Sequence, residues 1–423
     1  MTNHQMARFN RVCNLSCNGV FSMFKSGLSR VHYHSRQSDI EEARMPSENA
    51  EKPKKYLYEV DLLRVLFIFS VIATHVTTKI NEAIPNDTFA SQYLFATHMT
   101  LHFSRLGFMF VSGLVIFLNY YAKKLEIWRF WRKRFFGIIW AYLLWILIYT
   151  SIQAAIQNAT AAEFWQTLTK NWLYGDDFYM YYVIVTLQFY LVFPALRWLF
   201  KRFKHDRLVA VSLAVQLITL TVIKYVIPNV DTSHWLWWFR EYGYNFLTYQ
   251  FYFVLGGYVA IHYHQVMPKL MLYRRQLTVA VGVLGALTIA VFGINRSILD
   301  RTIDQAQNVH QPFVLFYAVV VIAWAMTIGM RYAQARETNA LPKWVVSAVA
   351  FGSKISFGMY LSQTVILTAL SALLSRISVD SGLLLATVPV SLLVVFGLTY
   401  LLSGVLYRTP KLSVLAGKSP WRS

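Results

Sequence analysis

The sequence predicts an all-α, polytopic membrane protein with about ten transmembrane helices, and three observations carry that expectation. Apolar and aromatic residues fill 56% of the 423 positions and charged residues only 14%, whereas a soluble domain usually carries about 25% charged residues. The apolar residues fall into runs of roughly 18 to 25, each long enough at about 1.5 Å per residue to cross about 30 Å of hydrocarbon. The connections between the runs alternate in basicity. The excess of 40 Lys and Arg over 20 Asp and Glu also suits nucleic-acid binding, but such proteins gather their charge on a folded polar surface, not between apolar runs. The expected partner is the lipid bilayer, with no nucleic acid.

Residues 1–55 are polar and mixed in charge, without a sustained apolar run, so they form neither a span nor a secretory signal; a disordered N-terminal extension is expected. Cys13 and Cys17 are the only cysteines, which excludes a disulfide framework. With His32 and His34 they lack the tight second pair of a zinc site, so no metal is expected. Ten spans follow, at about 60–79, 104–122, 134–155, 178–199, 207–227, 244–262, 277–294, 312–331, 354–374 and 382–404. They lie within a membrane domain of residues 56–405, and residues 406–423 read as a basic cytoplasmic tail.

One set of connections (1–60, 122–134, 200–207, 263–276, 331–344 and 405–423) holds 29 Lys and Arg, and the opposite set (79–92, 156–177, 228–244, 295–311 and 375–381) holds 6. Basic loops stay in the cytoplasm, so both termini are expected there, in a multi-pass protein of the cell membrane. Trp128 and Trp131 mark the inner edge. Trp235, Trp237 and Trp238 lie on an outer connection beside Arg240 and Glu241, as interface anchors or as a shelf for sugar rings.

Ionisable groups inside spans are costly and usually face a cavity or a partner. The first span opens Asp61-Leu62-Leu63-Arg64 and later reads Thr74-His75. Eleven helical steps return to within about 20° of the same face while rising about 16 Å, so Arg64 and His75 line one face at two depths. That spacing suits an amphipathic acyl donor entering from the cytoplasm, its phosphates on the guanidinium and its thioester at the histidine, which serves as base or nucleophile. The alternative is an Asp61–Arg64 pair at the membrane surface and a histidine that bonds a neighbouring helix.

These residues resemble the arginine-x10-histidine signature of the acyltransferase 3 family of integral membrane acyltransferases, which modify cell-surface carbohydrates. Ser104-Arg105-Leu106-Gly107-Phe108-Met109-Phe110-Val111-Ser112-Gly113 is similar to the family's second-span segment, and Arg134-Phe135-Phe136-Gly137 to the basic start of its third. Gln188-Phe189-Tyr190 with Pro194, Phe253-Val254-Leu255-Gly256 and Ser356-Phe357-Gly358-Met359-Tyr360-Leu361 follow in the family's order. There are departures: Gly137, Trp140 and Ala141 replace a second Arg and a Pro pair, and Gln363 stands where a His often ends the ninth-span motif. The arrangement is similar to smaller members of the intercellular-adhesin O-succinyltransferase type.

The resemblance implies an O-acyltransferase that moves an acetyl or succinyl group from cytoplasmic acyl-CoA to hydroxyls of a cell-envelope or secreted polysaccharide, with no bound cofactor. His75 is then the catalytic residue, and Arg64, Arg105, Arg134 and Asp61 hold donor or substrate. Arg105 can bind a carboxylate, a phosphate or a developing oxyanion, or snorkel to headgroups; His98 and His102 lie near its helical face. On the acceptor side, Asp177 and Tyr182, with Asp176, Tyr179 and Tyr181, can orient a sugar hydroxyl, although adjacent carboxylates are also ordinary helix-dipole partners. Lys354 reads as a snorkelling residue or a substrate contact. The rival from another class is a polysaccharide exporter or flippase.

Overall fold

The computed structural model describes residues 56–175, 177–377 and 379–418; the expectations placed on residues 1–55, and on Asp176, lie outside them. Among the described residues the chain is helical with no strand. Helix α1 is Tyr58–Asn81. Helix α2 (Phe89–His98) passes through a 3₁₀ turn, Met99–Leu101, into α3 (Phe103–Tyr120), a 32-residue apolar run that starts fifteen residues before the expected span at 104. The polar residues that mask its beginning are satisfied internally, Thr97 Oγ1 donating to the Tyr93 carbonyl at 2.8 Å and Thr100 Oγ1 to that of Thr97 at 2.6 Å.

Helix α4 (Ile127–Gln157) ends at Asn158, whose φ of 53° is left-handed. In the following outer connection lies a helix not foreseen, α5 (Ala161–Tyr174), started by a Thr160–Glu163 capping box and stopped by Gly175 at φ 62°. Helices α6 (Tyr181–Arg202) and α7 (His205–Thr221) form the next hairpin, α7 running on through a π turn and a 3₁₀ turn to Asn229. Then come α8 (Trp237–Arg240), α9 (Gln250–Ile261), α10 (Tyr263–Leu272), α11 (Arg274–Ser297), α12 (Ile303–Ala306), α13 (Pro312–Glu337), α14 (Lys343–Leu374) and α15 (Ser381–Arg408).

Nine helical runs among the described residues are long and apolar enough to cross a membrane, and the sixth expected span, 244–262, is the exception. Only its second half is α-helix; 3₁₀ turns at Tyr242–Tyr244 and Phe246–Thr248 precede it. Irregular backbone at membrane depth survives only where protein satisfies its polar groups, and two glutamines do so here. Gln188 donates to the Tyr244 carbonyl (2.8 Å) and accepts from the Phe246 amide (3.1 Å). Gln216, fully buried, donates to the Thr248 carbonyl (2.7 Å) and accepts from the Phe251 amide (3.3 Å).

Helix α1 lies at the centre. Its Leu63 and Phe67 enter a core shared with α3, α6, α9 and α13, while Ile68, Ile72, Val76 and Ile80 enter one shared with α14 and α15. Helices α3 and α9 pack backbone to backbone at two of the motif glycines. A methyl group on Gly113 would stand 2.2 Å from the Phe253 carbonyl oxygen, and one on Gly256 2.2 Å from that of Phe110. Helix α15 exposes Val390, Leu393, Leu401 and Val405, a face that only lipid makes tolerable.

The ends of the helices segregate as the Lys and Arg count requires. Residues in or beside the basic connections meet one another: Arg197, near the end of α6, bonds the Lys123 carbonyl, His205 bonds His262 (2.8 Å) and Arg336 lies over the Tyr58 ring (3.8 Å). Those of the other set do likewise, as in the 2.7 Å bond from Asn308 to Tyr242. Residues 415–417, after α15, are packed. Trp145 Nε1 donates to the Leu415 carbonyl at 2.8 Å, Ala416 is buried against Gly358, and Gly417 lies against Phe357.

Candidate active site

A cavity of about 1420 Å³ opens between α1, α3, α4, α6 and α14, and Arg64, His75, Arg105, Arg134 and Tyr182 all line it. The eleven-residue interval on α1 therefore places Arg64 and His75 on one cavity wall, as the helical period requires. Asp61 and Asp177 do not line it. Asp61 is buried and accepts from Ser353 (2.7 Å) and from Tyr56 (2.9 Å), tying the start of α1 to α14. Asp177 accepts from the buried Asn171 amide at 2.9 Å, joining α5 to the turn before α6.

Each cation is positioned by aromatic or backbone partners. Arg105 Nη1 donates to the Tyr181 hydroxyl at 2.7 Å, and the Tyr182 hydroxyl donates to the Arg105 carbonyl at 2.6 Å. Two consecutive residues of α6 thus grip one residue of α3. The Arg134 guanidinium sits 5.3 Å from the Tyr120 ring centre and 5.8 Å from that of Tyr190, which holds the charge without neutralising it. Its buried Nε has no hydrogen-bond partner among the described residues.

His75 is held differently from His98, His102 and His205, each of which has a hydrogen-bonded ring nitrogen. Its ring lies against Tyr179 with centroids 3.8 Å apart and planes tilted by 32°. Tyr179 and its neighbour Phe178 have φ of 63° and 62°, a left-handed conformation that costs non-glycine residues about 1–2 kcal/mol each. Helix α14 holds the turn in place: Tyr360 donates its hydroxyl to the Tyr179 carbonyl and Thr364 donates to that of Phe178. Backbone strain of this kind persists where the surroundings over-determine it, characteristically at functional sites.

Several lining residues escaped sequence reasoning. Arg129, Arg132 and Lys133, on the first turns of α4, line the same cavity; in sequence they were topology signals, indistinguishable from any other inner-loop cations. They supply basic groups one to two turns before Gly137, where the expected second arginine is missing. Lys354 also faces the cavity, as does Lys418 from the packed C-terminal segment. Lys418 Nζ bonds the Tyr407 carbonyl at 2.9 Å and lies 3.8 Å from that ring's centre. The lining thus carries eight Lys and Arg side chains and no carboxylate. Gln363, at the position of the missing histidine, is buried and donates to the Tyr360 carbonyl at 3.1 Å, outside the cavity wall.

The family profile Acyl_transf_3, described as an acyltransferase domain, matches residues 57–408. The chain belongs to this acyltransferase family. It is an enzyme that transfers acyl groups, built as a multi-pass membrane protein. No curated protein and no solved structure matches it significantly. The match takes in α1 through α15, so every helix bordering the cavity lies within the acyltransferase domain, and Lys418 lies beyond its end.

Proposed function

We propose that this acyltransferase takes an acetyl or succinyl group from cytoplasmic acyl-CoA and transfers it to hydroxyls of a cell-surface or secreted polysaccharide, working in the cell membrane with both termini in the cytoplasm. The observation that carries the reading is the cavity wall, with eight cationic side chains, no carboxylate and a histidine among them. A lining of one sign in a low-dielectric setting attracts and holds the opposite charge, and the phosphates of acyl-CoA supply it.

Arg129, Arg132 and Lys133 form the wide cytoplasmic end, suited to the outermost phosphates. Arg64 and Arg134 hold the charges nearer the membrane centre, and bidentate guanidinium forks fit phosphate oxygens well. The uncharged pantetheine arm then lies along Val71, Phe108 and Val111, which share the wall, and the thioester comes to rest at His75. There, either the ring attacks the thioester carbonyl and carries the acyl group, or it removes the proton of the incoming hydroxyl as that oxygen attacks. In the first course the C–S bond breaks as the N–C bond forms and the departing thiolate takes the ring's proton, after which the sugar hydroxyl displaces the imidazole and leaves its proton on it. In the second the C–S bond breaks as the ester C–O bond forms, and the hydroxyl proton passes through the ring to the departing thiol. Arg105, on the same cavity wall, is suited to the oxyanion that develops on the carbonyl.

The test is mass analysis of the surface polysaccharide from cells with and without the protein. An alkali-labile mass increment that appears with the wild-type chain and vanishes with His75→Ala supports the reading. Polysaccharide lost from the exterior, with unaltered ester content in what remains, overturns it in favour of an exporter.

A further inference from the structure

A second cavity, of about 380 Å³, lies at the opposite end of α1 from the cationic mouth, between the last turns of α1, the following loop, α2 and Gln307. Thr74 lines the large cavity and Thr78 the small one, and Thr78 Oγ1 donates to the Thr74 carbonyl at 3.0 Å. The two cavities are therefore about one helical turn, ~5–6 Å, apart along α1. The chemistry of the second is the reverse of the first. No Lys or Arg lines it, and its polar groups include Thr78, Asn81, Glu82, Asn86 and His98, with Phe95 beside them.

The hydrogen-bond network assigns a tautomer to His98. With the Thr77 hydroxyl proton given to the Ala73 or Thr74 carbonyl (3.0 and 2.8 Å), the 2.9 Å contact between Thr77 Oγ1 and His98 Nδ1 takes the imidazole as donor. With Nδ1 protonated, the neutral ring presents a lone pair at Nε2. The His102 ring stands edge to face with it at 4.9 Å, itself anchored by a 2.6 Å bond from Nε2 to the Gln307 carbonyl. Asn81, 6% exposed, has an Oδ1 with no partner among the described residues. Glu82 is already offset by Lys79 at 2.8 Å. The wall thus offers mainly acceptors and little uncompensated charge, which fits a neutral ligand rich in hydroxyl donors and rejects a polyanion.

We propose that this cavity is the subsite for one sugar ring of the acceptor, with His98 Nε2 and Asn81 Oδ1 accepting hydrogen bonds from its hydroxyls. Its volume lies at the low end of ligand pockets, about 300–1,000 Å³, enough for a single ring. The proposal rests on the acyltransferase reading and adds to it where the acceptor waits, one turn beyond the group that handles the donor. The test uses membrane vesicles that carry their own polysaccharide, supplied with labelled acetyl-CoA or succinyl-CoA, and follows label reaching polysaccharide per thiol released. His98→Asn keeps a donor at the Nδ1 position for the bond to Thr77 but removes the Nε2 acceptor, and Asn86→Trp plugs the cavity from an exposed position. Both should lower that ratio by about tenfold, the scale of one lost hydrogen bond. A wild-type ratio in both variants, including one where ester and thiol release fall in parallel, overturns the subsite. Wild-type vesicles that release no thiol would instead refute the acyltransferase reading beneath it.

Discussion

Replacing Tyr179 separates what a strained turn costs the fold from what it does for the site. Tyr179→Gly relieves a left-handed conformation costing about 1–2 kcal/mol and removes a ring contact with His75 worth about 0.5–1.5 kcal/mol. The half-buried ring also covers apolar area against the core, worth about 1–3 kcal/mol more, so Tyr179→Gly should be the less stable protein and melt lower by up to ~4 °C per kcal/mol. Activity should not be spared. With no ring 3.8 Å from His75, the imidazole is free to turn, and a misplacement of about 1 Å can cost ~10²-fold. Tyr179→Phe keeps both the ring and the strain and should stay within a few-fold of wild type. The assay is thiol release from acyl-CoA by purified protein, alongside thermal unfolding. Wild-type turnover by Tyr179→Gly would refute the positioning role; a loss in Tyr179→Phe equal to that in Tyr179→Gly would assign the effect to the hydroxyl facing Lys79.

Gly256→Ala sets a methyl group against the Phe110 carbonyl and the Leu114 amide, so it should destabilise the α3–α9 contact by more than the ~1–3 kcal/mol of ordinary overpacking, read as a lower melting temperature in detergent. A Cβ added at Gly137 meets nothing within 4 Å and Gly137 lines the large cavity, so Gly137→Trp should leave abundance unchanged while weakening acyl-CoA binding in titration, because the added ring occupies that cavity. Cysteines placed at Asn158 or Asn308 should react with an impermeant thiol reagent in intact cells and one at Arg132 should not; the reverse pattern would overturn the orientation.

The parts legible in sequence were those governed by composition and by the period of a single helix. Arg64 and His75 share a wall because eleven residues is close to three turns, and that needs no tertiary information. The basic and non-basic ends were countable for the same reason. What escaped depends on distant partners. The broken sixth span is tolerated because Gln188 and Gln216, on other helices, bond its backbone, and nothing within residues 244–262 announces it. Phe178 and Tyr179 carry neither glycine nor asparagine to signal a left-handed turn; Tyr360 and Thr364, far along the chain, impose it. Arg129, Arg132, Lys133 and Lys354 were visible as charges, but whether a cation faces a headgroup or a cavity depends on which helices pack beside it. The motif glycines Gly113 and Gly256 were visible too, and their reason emerged only when each lay against the other helix's backbone.

The central claim, that donor chemistry takes place at His75 inside a cationic cavity, is tested most directly by thiol release from acetyl-CoA or succinyl-CoA by purified protein in liposomes. Wild-type protein should release thiol with the donor supplied on the face that carries Arg129 and Lys133. His75→Ala should be slower by about 10²–10⁴-fold, the range that positioned acid–base catalysis contributes, with unchanged abundance and melting temperature. A His75→Ala protein that retains turnover within about twofold of wild type, on the scale of assay scatter and not of a lost catalytic group, would contradict the account.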